Sequence, residues 1–323
     1  MIELRGLTKR YGTTTAVDNL SFTVGAGHIT GFLGPNGAGK TTTMRLILGL
    51  DNPTGGSVTV NGESYRDKRA PMHEVGALID PSAVHGGRSA YYHLLWQAQA
   101  GGIHKSRVDD VLDMVGLADV AGKKVGGFSL GMRQRLGIGS AMLGDPPVLL
   151  FDEPVNGLDP EGIQWIRSMM KRFAEEGRTV FVSSHLMSEM EQTADHVLVV
   201  GRGQLIADLP MSEFTQRSAL THVRVVSPDA ARLTPHLEAM GGVVKNGTRG
   251  ELSVTGLDAG AIGAAAFERG IRLSELSSQR ASLEAAFMEL THDSVEYRAN
   301  ETSKAGSSTA EETVRELTAE GAS

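Results

Sequence analysis

The chain has 323 residues, 40% of them hydrophobic and 5% aromatic, with a net charge of −7; at about 150 residues per domain this implies two domains with buried cores and excludes a single small module. Cysteine is absent, which excludes disulfide frameworks, thiolate metal sites and cysteine nucleophiles and fits a reducing compartment. The acidic balance argues against strong attraction to nucleic-acid phosphates, and no signal layout or apolar run of about 20 residues is found, so the sequence reads as soluble and cytoplasmic, with no nucleic-acid partner expected.

Over the first two hundred residues short β-branched runs alternate with helical stretches, the pattern of an α/β domain around a largely parallel sheet. Ile2–Leu4 and Ala16–Val24 read as strands, and turns at Gly25-Ala26-Gly27 and Asn61-Gly62 suggest antiparallel hairpins appended to that sheet. Strands are expected next at Ile29–Leu33, Val148–Phe151, Thr179–Ser183 and Val197–Val200. The periodicity predicts helices over Thr41–Leu50, Ala90–Ala100, Arg107–Val115, Leu130–Met142, Glu161–Glu176 and Leu186–Ala194.

A short helix around Ser212–Leu220 precedes a change of texture. Strand-like Val223–Val226, helical Ala230–Met240, strands Val243–Lys245 and Glu251–Val254, helical Ala259–Arg269 and a strand over Ile271–Leu276 give β-α-β-β-α-β, the split βαβ layout. Ala281–Leu290 reads as a terminal helix. From residue 298 onward five Glu stand against one Lys and, beyond Arg298, one Arg, which suits a solvated acidic tail, with a marginal helix at Glu311–Glu320 as the alternative. The expected division is therefore 1–220, 221–297 as a small α+β domain, and 298–323 as tail.

Gly34-Pro35-Asn36-Gly37-Ala38-Gly39-Lys40-Thr41 matches G-x-x-x-x-G-K-[ST], with an apolar strand before it and a helix after it. Glycines at 34, 37 and 39 let backbone N–H groups converge on phosphate oxygens, and the helix adds its positive end. Lys40 supplies a charge to the terminal phosphates, and the Thr41 hydroxyl suits Mg²⁺. Some 110 residues later the buried-strand run Val148–Phe151 ends in Asp152 and Glu153, which a strand directs to different places. Asp152 is assigned to the metal, and Glu153 to general base for a water attacking the γ-phosphate.

Phe128-Ser129-Leu130-Gly131-Met132-Arg133-Gln134-Arg135 places Ser129 at a helix N-cap. Its spacing resembles the signature of ATP-binding cassette proteins. The resemblance extends over residues 1–200 to the phosphate loop with Thr42, the acid pair, Asn156-Gly157-Leu158-Asp159 and His185. It implies a P-loop NTPase fold with a mostly parallel core sheet, an antiparallel β subdomain and a helical subdomain, binding and hydrolysing ATP with Mg²⁺. It also implies head-to-tail pairing, in which Ser129 and Gly131 of one cassette meet the γ-phosphate held by the other. With one copy of each element here, a homodimer is the simplest complete assembly. By the same resemblance Tyr11 stacks on adenine, Asp159 couples the two sites and His185 touches the γ-phosphate.

Two departures stand out. Leu130 and Met132 occupy positions where the usual signature has Gly and Gln, and Asp80 stands where a loop Gln normally meets Mg²⁺ and the membrane partner; Asp80 either binds the metal or faces that partner. Both resemble the bacitracin-export and lantibiotic-immunity branch, whose members work with a separate membrane permease, and Ser282–Thr291 resembles the end of the accessory domain on such exporter subunits. The expected protein is thus a peripheral ATPase on the cytoplasmic face of the membrane, powering antibiotic or drug export. The aromatics Tyr91, Tyr92 and Trp96 with His93 belong either to the permease interface or to the helical core. A GTPase reading of Asp159-Pro160-Glu161-Gly162 lacks the guanine-reading [NT]-K-x-D. A soluble cassette acting on nucleic acid or ribosomes would carry a tandem cassette or long coiled coil, and a non-catalytic regulator would not need Glu153 and His185.

Overall fold

The computed structural model describes residues 1–217, 222–248 and 250–279. The expected helix at 281–290, the tail at 298–323 and the end of the Ser212–Leu220 helix lie outside them. Contacts divide the chain into two compact units, one containing Met1–Met211 and the other Ser212–Leu290.

In the first unit β1 (Ile2–Tyr11) turns at Gly12-Thr13 into β2 (Thr14–Val24). There follow β3 (Ile29–Leu33), α1 (Lys40–Ile47), β4 (Gly55–Val60), α2 (Pro71–Glu74) and β5 (Val75–Leu78). Three helices come next, α3 (Ala90–Ala100), α4 (Ser106–Met114) and α5 (Leu130–Met142). The unit closes with β6 (Val148–Asp152), α6 (Pro160–Glu175), β7 (Thr179–Ser184), α7 (Met187–Glu191), β8 (His196–Gly201) and β9 (Gln204–Pro210), from which α8 (Met211–Arg217) leads on.

The main sheet has the order β5-β6-β7-β3-β8-β9, parallel except for β9 against β8. Its central strands β3, β6 and β7 are buried at every position, as expected for a parallel sheet covered on both faces. The antiparallel sheet β2-β1-β4 is separate from it, contrary to the expected appended hairpins. Gly25-Ala26-Gly27 is a crossing from β2 into the other sheet, whereas Asn61-Gly62 forms the expected tight turn, with Val60 and Glu63 paired antiparallel across it, and a further hairpin turn follows Tyr11. The two sheets share one core, in which Phe32 lies 5.7 Å from Phe22 and 5.1 Å from Phe181 between ring centroids. On α6 the buried Ile166, Met169, Met170 and Phe173 recur at helical spacing and form its packed stripe.

Strands β4, β5 and β9 escape the sequence pattern. β4 begins Gly55-Gly56 and buries only Val60, whereas β5 has only four residues with Gly76 among them, too short for a periodic signal.

The second unit contains β10 (His222–Val226), α9 (Ala230–Ala239), β11 (Val243–Asn246), β12 (Glu251–Thr255), α10 (Ala259–Glu268) and β13 (Glu275–Gln279). The order β11-β12-β10-β13, antiparallel throughout, interleaves two βαβ units. Its core joins Leu233 and Leu237 of α9 and Ile262 of α10 to Val223, Val225, Leu252 and Val254. The last strand starts at Glu275, not Ile271. Ile271 N–H bonds back to Ala266 O at 2.9 Å and Gly270 N–H to Phe267 O at 3.1 Å, a Schellman closure that commits Ile271 to the end of α10.

Candidate functional site

The main sheet brings the ends of β3, β7 and β6 side by side, and each delivers part of one site. Leaving β3, the chain curls through Gly34–Gly39 into α1. Gly39 takes φ 99°, and a Cβ on it would stand 2.4 Å from Ala16 O, so only glycine permits this entry to the helix. Lys40 lies under the loop, buried to 6% exposure, with Nζ donating to Gly34 O at 2.6 Å and to Pro35 O at 3.3 Å. Burial pulls its ammonium below the ordinary lysine range, while Glu153 and Asp152 oppose that pull.

Thr41 Oγ1 donates to Asp152 Oδ2 at 2.6 Å. The other carboxylate oxygen of Asp152 accepts from the buried Ser183 hydroxyl, whose oxygen in turn accepts the Glu153 backbone N–H at 3.0 Å. Glu153 holds φ 49°, a left-handed conformation unusual for a non-glycine residue and typical of strain kept at functional sites. That kink turns its side chain away from the line of β6. One oxygen then lies 3.5 Å from Lys40 Nζ and the other 2.8 Å from His185 Nδ1, whose ring N–H donates because a carboxylate only accepts. Phosphate loop, metal-type acid, second acid and histidine are thereby brought together. Ser183 was missed by the sequence reading; its only local signal is its place at a strand end two residues before His185.

Of the remaining predicted residues, Tyr11 reaches Thr42 beside the phosphate loop through a side-chain hydrogen bond, while Ser129, Gly131 and Asp80 have their contacts elsewhere. Ser129 caps α5, accepting from Met132 N–H at 3.2 Å, with Gly131 in the first turn. Tyr11 is half exposed, donates its hydroxyl to Asp51 at 3.0 Å and has Lys9 Nζ 4.8 Å from its ring centroid. The Asp80 carboxylate accepts both the N–H and the hydroxyl of Ser82, at 2.8 and 2.6 Å, which hold it below the ordinary carboxylate range. On α3 the aromatic cluster splits: His93 is buried, while Tyr92 and Trp96 are exposed, with Arg88 stacked 4.9 Å from the Trp96 centroid.

The family model "ABC transporter" matches residues 17–156, and a domain of unknown function (DUF8746) matches residues 221–284. The chain is 43% identical over 221 residues to the bacitracin transport ATP-binding protein BcrA of Bacillus licheniformis, covering 68% of this chain and 72% of that one. It is 36% identical over 208 residues to the lantibiotic transport ATP-binding protein SrtF of Streptococcus pyogenes, covering 64% and 90%. Among solved structures, an ATP-binding subunit of an ABC transporter superposes with a TM-score of 0.61 at 25% identity, over 67% of this chain and 92% of that one. Sequence, fold and the cluster around Asp152 agree: the chain belongs to the ATP-binding proteins of ABC transporters.

Proposed function

We propose that this protein is the ATP-hydrolysing subunit of an exporter that moves a peptide antibiotic or drug-like substrate through a separate membrane permease. The carrying observation is the joint hold of Lys40 and His185 on Glu153, beside the Thr41–Asp152 pair. Relatives named for bacitracin and lantibiotic transport support the substrate class.

In this reading the backbone N–H groups of residue 34 and residues 36–42 and the Lys40 ammonium bind the phosphates of ATP, and the Tyr11 ring is offered to adenine. The Thr41 hydroxyl and Asp152 carboxylate are hard oxygen donors 2.6 Å apart, a fit for Mg²⁺. Such an ion, when bound, neutralises charge on the phosphate oxygens. Glu153 takes a proton from the attacking water, and His185 fixes the carboxylate's orientation and reaches toward the γ-phosphate.

Ser129 and Gly131 serve the site of a second copy of this chain, so that two identical chains complete two sites. The permease docks on the face where α3 meets the β5 edge. Cavities of about 360 and 420 Å³ open there, lined by Leu50, Met72 and Trp96 in the first and by Asp80 in the second. Exposed aromatics such as Tyr92 and Trp96 suit an interface core. Among the described residues no helix is long and apolar enough to cross a membrane; in this reading the permease holds the chain at the cytoplasmic face.

Replacing the base tests this directly. Glu153→Gln is expected to bind ATP with near-native affinity while steady-state turnover falls by about 10²–10⁴-fold. Full turnover in that variant would overturn the assignment.

A further inference from the structure

A knob and a hollow join the start of α5 to the loop that follows the acid pair. Leu130 is the first residue of α5 and is 50% exposed. A Cβ on Gly157 would stand 2.0 Å from Leu130 Cδ2 and 2.7 Å from its Cγ. The hollow therefore exists only because residue 157 has no side chain. Gly157 also takes φ 75°, a conformation that disfavours replacement on its own account.

The packing is returned from the other side, where Leu158 Cδ2 lies 3.5 Å from the place of a Cβ on Gly131. One turn on, the buried Gln134 donates to Pro154 O at 2.8 Å, and the Arg135 guanidinium stacks 4.3 Å from the Trp165 ring centroid of α6. Together these contacts lace one side of α5 to residues 154–165, the stretch that leaves Glu153. Helix stability does not ask for leucine at this position, where orphan N–H groups call for oxygen acceptors. Burial does not ask for it either, since half of the side chain stays in water.

We propose that Leu130 is a positioning residue that couples the two half-sites carried by one chain. It directly follows Ser129, the half-site offered to a partner copy, and it grips Gly157, in the loop leaving Glu153, the half-site the chain keeps. The proposal rests on the two-copy reading above. Displacement of the α5 N-terminus on closing over a partner's nucleotide must carry residues 157 and 158 along, because a packed knob shifts between discrete seats and does not deform smoothly. Closure at one site then adjusts the backbone that ends at the acid of the other.

The test is a double-mutant cycle on the full chain, reading ATP turnover with Mg²⁺, its Hill coefficient, and ATP-induced pairing by light scattering in a Glu153→Gln background. Gly157→Ala alone is expected to lower turnover about tenfold or more. Leu130→Ala is expected to lower kcat a few-fold, roughly two- to fivefold, and to bring the Hill coefficient toward about 1, with an unchanged melting midpoint. Leu130→Ala combined with Gly157→Ala should recover about threefold or more over Gly157→Ala, because the smaller neighbour makes room for the new Cβ. Leu130→Met should behave as the native chain. Additive losses in the cycle, or a native Hill coefficient in Leu130→Ala, overturn the proposal while leaving the two-copy reading intact. A Glu153→Gln parent that stays single with ATP overturns both.

Discussion

Thr41 and Asp152, 111 positions apart in the chain, meet through a 2.6 Å hydrogen bond between the threonine hydroxyl and Asp152 Oδ2. Asp152 closes β6 and Thr41 lies in the first turn of α1, which the phosphate loop joins to β3, and β7 runs between those two strands. Ser183, at the end of that middle strand, binds the remaining oxygen of the same carboxylate. The aspartate is thus held from both sides, with one oxygen on the phosphate-loop threonine and the other on its neighbour in the sheet.

Ser183→Ala follows from that arrangement. It removes a buried donor to Asp152 and the acceptor of the Glu153 N–H, leaving both unsatisfied at a cost of about 1–3 kcal/mol. The expected outcome is a melting midpoint lower by several degrees, together with a turnover loss of about tenfold as the two acids lose their relative placement. Calorimetry and steady-state ATPase assays on the same preparation check it. Turnover unchanged in a destabilised variant would confine Ser183 to folding.

The contrast between Ser183 and its neighbours shows what a sequence can disclose. Gly34–Thr41 is legible because all its chemistry is contiguous, and Asp152 is legible because a buried apolar run ends on it. Ser183 carries no local mark: its partners come from the parallel strand β6, and that pairing is set by the sheet. The same holds for the twist that places Glu153. An adjacent acid pair suggests two directions, but the left-handed backbone at 153 and the Ser183 contact that supports it belong to the tertiary structure. Leu130 shows as an oddity in the sequence, and the hollow it fills becomes visible only when residues 130 and 157 are brought together.

Lys40 gives a prediction in pH. Its folded pKa lies below the ordinary 10.5 because burial disfavours the ammonium more than Glu153 and Asp152 favour it. The folded chain therefore holds this proton more weakly than the unfolded chain does. Below the folded pKa both states carry it and Lys40 opposes folding. As pH rises from there toward 10.5 the folded state releases the proton first, the unfolded state binds more protons, and this residue's contribution to stability increases. Denaturation midpoints of the native chain and of Lys40→Met, measured over about pH 8–11, should diverge in favour of the native chain as pH rises. Parallel curves would contradict the burial effect. Nucleotide affinity should move the opposite way, falling over the same range as the charge is lost.

Asp80 was open to two roles, and its hydrogen bonds to Ser82 favour one. A carboxylate already accepting an N–H and a hydroxyl has its loop as its main partner. Asp80→Ala is expected to leave the Mg²⁺ concentration for half-maximal ATPase within about twofold, while amide exchange at residues 82–84 speeds up as the turn loosens. A tenfold rise in the Mg²⁺ requirement would instead place the carboxylate at the metal.

Adjacent strand ends also govern how this protein tolerates change. Because β6, β7 and β3 are neighbours, the span between Asp152 and the phosphate loop is set by two strand-to-strand steps of about 4.8 Å each, not by the length of chain connecting them. Residues 79–128, which leave the sheet after β5 and carry α3 and α4, form an excursion that can lengthen, shorten or change its surface without moving β6, whereas α5 is tied to residues 154–165. A one-residue slip of β6 would instead exchange the faces of Phe151 and Asp152 and take the acid out of the site. That excursion is therefore free to drift in surface, while the placement of Asp152 is locked by the register of a single five-residue strand.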